Sequence, residues 1–158
     1  MFKNGRPIRA LDGQHPEGGH ISVPNISAPC YCGLDACWEM SASRLALEGI
    51  AKSRSEFVLV DGRCDFSKLS DRTWQEFAHR VADGLVTHLV ISRPDVVVIC
   101  GSIVDTWSFF KNHLVERLNS HRGFSETKNI QASTIGDISG AIGATMLASN
   151  KIGKGARP

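Results

Sequence analysis

The sequence contains no long apolar run. No stretch approaches the roughly 20 apolar residues that a transmembrane helix requires. The first residues, Met1 to Pro7, form no apolar signal-peptide region. Both absences argue against a membrane protein or a secreted one. We therefore expect a cytoplasmic protein without a membrane partner.

Neither sign of charge dominates. With 18 basic and 16 acidic residues, the formal net charge is +2, which provides no strong face for nucleic acid, an anionic membrane or an acidic partner. The chain also shows no internal repeat and no low-complexity block. From its 158 residues and 42% hydrophobic content, we expect a single globular domain that hides roughly 70% of the surface of the unfolded chain.

The order of helix and strand signals favours an α/β fold. Apolar residues at three-to-four spacing predict helices, which cover 35–53, 70 or 71 to 91, 105–120 and, from a cap at Asp137 or Ser139, a last stretch to 148. Short β-branched runs predict a buried strand over 95–101 and a second strand over 129–134. Helix, strand, helix, strand, helix in this order indicates a partly parallel sheet.

We make a separate prediction for one residue in a predicted helix and for one in a predicted strand. Gly84 lies inside the second predicted helix, where glycine costs about 1 kcal/mol relative to alanine. Cys100 ends the apolar run of the first predicted strand, and we expect it to be a buried small hydrophobe.

Three of the five cysteines crowd into one short stretch. His20, Cys30, Cys32 and Cys37 have the spacing H-x9-C-x-C-x4-C, and one imidazole with three thiolates is the ligand set of a closed tetrahedral zinc site. In a cytosolic protein such crowding favours a metal over disulfides. The alternative is three buried or reactive thiols beside an unrelated histidine. Spacing and ligand type favour a structural zinc site, because four protein ligands leave no position for a catalytic water.

The same stretch resembles the signature of the ROK family of repressors and sugar kinases. His15-Pro-Glu-Gly-Gly-His20 is similar to the family's E-x-G-H segment, and Cys30-Tyr-Cys-Gly-Leu-Asp-Ala-Cys-Trp-Glu39 is similar to its C-x-C-G-x-x-x-C-x-E pattern. The serine- and alanine-rich helix that follows, and the segments 93–101 and 136–148, match in the same order. The resemblance covers nearly the whole chain, as the C-terminal, zinc-containing part of a glucokinase-like or fructokinase-like protein.

The resemblance implies a ribonuclease-H-like (actin-like ATPase) α/β fold, present as an incomplete C-terminal portion, with a hexose bound in a cleft. It implies that His20 and the three cysteines hold zinc, and that Glu17, His20 and Glu39 contact the sugar. Carboxylates accept hydrogen bonds from sugar hydroxyls. An imidazole with one nitrogen on the metal can donate from the other nitrogen.

The sequence also departs from the family pattern. The family's D-x-G-x-T phosphate segment, its proton-accepting aspartate and its glycine-rich phosphate turn belong upstream of His15. Without them we expect no phosphoryl transfer by this chain alone, since loss of a general base costs about 10²–10⁴-fold. The family's triple glycine for the nucleotide is reduced to Gly101 followed by Ser102, so ATP and Mg²⁺ would bind only if the fold is completed. Ala36 replaces a common glycine before the last cysteine.

These observations leave three functions open. We expect residues 1–150 to form a ROK-like sugar-kinase domain with its zinc loop at 15–39, followed by a flexible tail at 151–158. This domain is the hexose-binding half of a kinase, a non-catalytic hexose-binding domain or, least favoured, a piece of a sugar-responsive repressor. The chain shows no helix-turn-helix, so we expect no DNA binding. Missing strands would expose a sheet edge and apolar surface, so we expect a homo-oligomer or a complementing N-terminal half.

Overall fold

Short strands and five α-helices make up the regular structure of the part of the chain that this computed structural model describes, which is residues 1–24, 26, 28–121 and 129–152, with side chains through 149. In chain order the elements are β1 (Phe2–Lys3), β2 (Arg6–Pro7), α1 (Trp38–Ala42), α2 (Arg44–Ser53), β3 (Leu59–Val60), β4 (Arg63–Cys64), α3 (Asp71–Ser92), β5 (Val97–Ile99), α4 (Trp107–Asn119), β6 (Ile130–Ala132) and α5 (Ser139–Ile152). Among the described residues, no helix has the length and apolar character needed to cross a membrane.

The long helix α3 is the element against which α1, α2 and α4 pack. Its N-cap is Ser70, whose hydroxyl accepts a hydrogen bond from the Thr73 amide at 3.3 Å. This contact confirms the predicted cap. The helix ends where Arg93 adopts a left-handed conformation before Pro94. The apolar residues at the predicted spacing are all buried, namely Trp74, Phe77, Val81, Leu85 and Leu89.

The single helix predicted over 35–53 is two helices in the structure. Ala36 has a φ of 62°, which is left-handed, so the predicted start is wrong and α1 begins at Trp38. The backbone is extended at Ser43, and its hydroxyl caps α2 by accepting a hydrogen bond from the Ala46 amide at 3.3 Å. The position of the helical segment was predicted correctly. Its continuity was not, because serine can cap a helix as readily as continue one.

The hydrophobic core lies between α2, α3 and α4. Its fully buried side chains include Leu47, Phe77, Phe110, Leu114 and Leu118. The last three form the inward face of α4, and burial of each such side chain stabilises the fold by about 1.5–3 kcal/mol.

The strands β5 and β6 pair in parallel, with Val97 opposite Ile130, as the order of elements predicts. Val97 and Ile99 pack against the core. Val98 points away and is 49% exposed, and Cys100 is exposed. The expectation of a buried strand and a buried Cys100 is therefore wrong, because the described residues cover only one face of this two-stranded sheet.

Helix α5 carries apolar side chains that the described part of the chain leaves exposed. Ile142 is 37% exposed and Met146 is 62% exposed, and Ile138 just before the helix is 63% exposed. The helix includes two residues of the predicted tail, since it runs to Ile152. The rest of that tail, 153–158, lies outside the described residues, so its flexibility stays a prediction.

Candidate metal centre and its polar rim

The four predicted metal ligands come together in the structure. His20 ends a 3-10 turn (Gly18–His20), and Cys37 is the residue before α1. One ligand atom from each of His20, Cys30, Cys32 and Cys37 lies within 4.8 Å of the others. The Sγ atoms of Cys32 and Cys37 are 3.5 Å apart, and the same distance separates the Sγ of Cys30 from the Nδ1 of His20.

The two distances of 3.5 Å are those expected in a tetrahedral metal site. Bonds of about 2.3 Å to sulfur and 2.0 Å to nitrogen place the ligand atoms of a zinc tetrahedron about 3.5–3.8 Å apart. Cys37 is completely buried and Cys30 is 7% exposed, whereas Cys32 is exposed, so the centre is shielded from water on one side only. The donor set of one imidazole and three thiols could therefore hold a metal ion, as predicted.

The thiols differ in their acidity. Burial raises the pKa of Cys37 to about 12, and the adjacent thiols of Cys32 and Cys30 add to the rise. A hydrogen bond from the Leu34 backbone lowers the pKa of Cys32. Without a cation, the Cys37 thiol keeps its proton at neutral pH. Metal binding therefore displaces that proton, because only the thiolate is a good ligand.

The second ring nitrogen of His20 faces away from the thiols, toward a rim of polar side chains. Its Nε2 is 3.7 Å from the Oε2 of Glu39 and 4.0 Å from the Oε2 of Glu17. The side chains of Glu39 and Glu17 are 42% and 65% exposed. The structure thus brings together the three residues for which the resemblance implies sugar contact, and their carboxylates are open to a ligand.

Tyr31 completes this rim and was missed in the sequence. Its hydroxyl lies 3.1 Å from the Nε2 of His20 and 3.5 Å from the Oε2 of Glu39. Partial desolvation by the neighbouring side chains and the negative charge of Glu39 raise the pKa of Tyr31. The signal was its place between Cys30 and Cys32, because a residue between two ligands cannot lie far from the centre.

Two glycines allow the site loop to approach α3 and α1. The imidazole of His88, on α3, donates to the Gly18 carbonyl at 2.9 Å, and a Cβ at Gly18 would lie 2.6 Å from the Cε1 of His88. A Cβ at Gly19 would lie 3.3 Å from the Cβ of Glu39. The predicted E-x-G-H segment therefore needs small residues at these positions in order to bring Glu17 and His20 beside Glu39.

The predicted nucleotide residues follow β5. Gly101 has a φ of 90°, a left-handed conformation that favours glycine. Ser102 comes next and leads into the 3-10 turn Val104–Thr106. Their contact with a nucleotide stays a prediction.

Comparisons with known proteins agree with the resemblance. A family model described as the ROK family matches residues 1–151. The xylose repressor of Bacillus spizizenii is 25% identical over 121 residues, which cover 74% of this chain and 32% of the repressor.

Solved structures show the fold. A ROK hexokinase from Thermus thermophilus superposes with a TM-score of 0.71 and 26% identity, over 95% of this chain and 53% of that one. A ROK family glucokinase from Streptomyces griseus, in complex with glucose and AMPPNP, has a TM-score of 0.68 and 22% identity, over 85% and 51%. The chain therefore has part of the ribonuclease-H-like (actin-like) fold of these kinases, as predicted. It spans about a third of the repressor and about half of each kinase.

Proposed function

The chain belongs to the ROK family, and we propose that it is the hexose-binding half of a sugar kinase, organised by zinc. The observation that carries the proposal is that the two ring nitrogens of His20 face different groups. Its Nδ1 lies 3.5 Å from the Sγ of Cys30, whereas its Nε2 faces Glu39 at 3.7 Å. One side chain thereby joins the metal centre to the polar rim.

Zinc, when bound, fixes the position and the tautomer of the His20 ring. Nδ1 as a metal ligand carries no proton, so the proton resides on Nε2 and points toward the rim. The Nε2–H then donates to a sugar hydroxyl, and the carboxylates of Glu39 and Glu17 accept from neighbouring hydroxyls. Each such charge-assisted hydrogen bond is worth about 1.5–3 kcal/mol.

We further propose that the 158 residues bind a hexose without phosphorylating it on their own. The family resemblance assigns the proton-accepting aspartate and the phosphate loops to a segment upstream of His15. ATP and Mg²⁺ would join at Gly101 and Ser102 only when that segment completes the fold. The reduced thiols of the metal centre suit the cytoplasm, where thiols stay unoxidised.

The exposed apolar surface supports the proposal that a partner binds this chain and completes the fold. Val98, Ile138 and Met146 are between 49% and 63% exposed, and such surface favours association. The occupant that we propose is the complementing N-terminal half, and a second copy of the chain is the alternative.

A sugar-responsive repressor is a second candidate function. It is favoured by the likeness to the xylose repressor over 74% of this chain. The two functions share a sugar site and differ in the use of ATP. Sugar-dependent ADP release by the chain with its complementing half would favour the kinase. Hexose binding without turnover in that complex would favour a non-catalytic protein, which is either the repressor or a hexose-binding domain.

The hexose site is tested by calorimetric titration of a hexose panel into the zinc-loaded chain and into Glu39→Gln. We expect the substitution to weaken binding about tenfold to a hundredfold, the loss of one charge-assisted hydrogen bond. The zinc content should stay at one ion per chain. Glu116→Gln, an exposed position on α4, is the matched control and should bind as the original chain does. Equal affinity of Glu39→Gln and Glu116→Gln would refute the site.

A further inference from the structure

The hydroxyl of Tyr31 occupies the position between His20 and Glu39 that the proposed function gives to a sugar hydroxyl. It lies 3.1 Å from the Nε2 of His20 and 3.5 Å from the Oε2 of Glu39. Both partners are residues to which the proposed function assigns sugar binding, so the phenol and the sugar share the same two groups.

The direction of these hydrogen bonds matches what an alcohol would make. When zinc occupies Nδ1, as the proposed function has it, Nε2 carries the ring proton and donates to the phenol oxygen. The phenol O–H in turn donates to the Glu39 carboxylate. A hexose hydroxyl in this place would also accept from His20 and donate to Glu39, which makes Tyr31 an internal substitute for it.

The side chain of Tyr31 is free to leave. It is 80% exposed, and its ring packs edge-to-face on the His20 ring, at 5.1 Å between centroids. The backbone on either side belongs to the ligands Cys30 and Cys32, so the phenol stays within reach of the rim after it rotates outward.

We propose that Tyr31 competes with the sugar for His20 and Glu39, and that its side chain rotates away when a hexose binds. The inference rests on the proposed function of these two residues. It gives Tyr31 a role in specificity, because only a sugar whose hydroxyl makes both hydrogen bonds can replace the phenol. A hexose that lacks this hydroxyl leaves Tyr31 in place.

The competition is tested with Tyr31→Phe, which removes the hydroxyl and keeps the ring. Since the internal partner is lost, a hexose should bind between about twofold and tenfold more tightly, the range of one net hydrogen bond. Zinc content and unfolding temperature should not change, because the side chain is largely exposed. Unchanged or weaker binding would overturn the proposal, and weaker binding would show that the hydroxyl contacts the sugar instead.

The movement can be observed directly, because Tyr31 is the only tyrosine in the chain. Biosynthetic labelling with 3-fluorotyrosine therefore gives a single ¹⁹F resonance from the folded protein. We expect this resonance to move on saturation with a hexose toward the position that it has in Glu39→Ala, where the phenol has lost its acceptor. A resonance that stays in place at saturation would contradict the rotation.

The two titrations also separate this inference from the proposed function. If the zinc-loaded chain and Tyr31→Phe both bind hexose with equal affinity, the hexose site stands and the competition is wrong. If neither binds any hexose, the proposed function fails and the inference fails with it. Binding by Tyr31→Phe alone would support a competition strong enough to close the site.

Discussion

The indole ring of Trp38 lies directly on the backbone of Gly84. A Cβ built at Gly84 would lie 2.2 Å from two ring carbons, and the Nε1–H of Trp38 donates to the Arg80 carbonyl at 3.0 Å. Trp38 stands between the candidate metal ligand Cys37 and the rim residue Glu39 in the sequence. Its contact with α3 therefore fixes the candidate site to the core of the fold.

Substitution of Gly84 by alanine should destabilise the protein although alanine favours helices. The methyl group would displace the Trp38 indole, and such overpacking costs about 1–3 kcal/mol. Denaturant unfolding measures the loss. Gly49→Ala, in the interior of α2 with no atom within 4 Å of the added Cβ, is the control and should stabilise by about 0.5–1 kcal/mol. Equal effects at the two positions would show that the Trp38 contact carries no packing energy.

Gly84 also shows where the sequence stops being informative. Inside a helical pattern it predicted only a local cost, whereas the reason for it is a side chain 46 positions away along the chain. The Ser70 cap and the apolar spacing of α3 were predictable because they depend on neighbouring residues. The exposure of Val98 and Cys100 was not, because the burial of a strand depends on which elements cover its two faces.

The grouping of the four candidate metal ligands was predictable from a short stretch of sequence. A ligand set needs only residue types at a short spacing, so His20 and the three cysteines were identifiable in one stretch of sequence. The direction of the Tyr31 side chain could not be predicted, because a side chain between two ligands can point toward the rim or away from it.

Replacement of Ala36 by glycine should stabilise the loop of the metal centre. Ala36 has a φ of 62°, which costs a residue with a Cβ roughly 1–2 kcal/mol. Glycine avoids this strain and loses part of the gain through its more flexible unfolded state, so we expect a net rise of about 0.5–1 kcal/mol in unfolding free energy. The control is Ala46→Gly in α2, where the same change should lower it by a similar amount. A loss of stability in both variants would argue against the left-handed conformation at Ala36.

Removal of the metal should destabilise the site loop. A strong chelator should lower the unfolding temperature of the zinc-loaded protein, because metal binding contributes to the folding free energy. Cys37→Ser should give the same low temperature and bind less than one zinc per chain, since it removes a completely buried ligand.

The exposed thiol of Cys100 provides the control for this experiment. Cys100→Ser should keep both the zinc and the unfolding temperature of the original chain. A chelator that leaves the unfolding temperature unchanged, in protein shown by metal analysis to have lost its zinc, would contradict a structural role.

The stability of the α3 N-terminus should depend on pH through Glu56. The Ser70 backbone N–H donates to its carboxylate at 3.0 Å and the Ser70 hydroxyl donates at 2.7 Å, and these bonds lower the pKa of Glu56. Its contribution is therefore complete above the unfolded pKa of about 4.3 and is lost as the pH falls through the lower folded value.

This dependence is measured as the difference in unfolding free energy between the original chain and Glu56→Gln. We expect about 1 kcal/mol at pH 7 and a difference that shrinks as the pH falls below about 4. Comparison at each pH cancels the loss of metal in acid, which affects both proteins. A gap that stays constant from neutral to acidic pH would show that the Glu56 charge is not involved.

The most direct test of the account is a titration of hexoses into the same protein with zinc, after zinc removal, and after zinc is restored. Circular dichroism at each stage verifies that the helices remain folded. We expect hexose binding in the zinc-loaded protein, loss of that binding when the metal is stripped, and recovery when zinc returns, because the metal fixes the orientation of the His20 ring and its Nε2–H donor. Equal hexose affinity in the loaded and the stripped protein would contradict it.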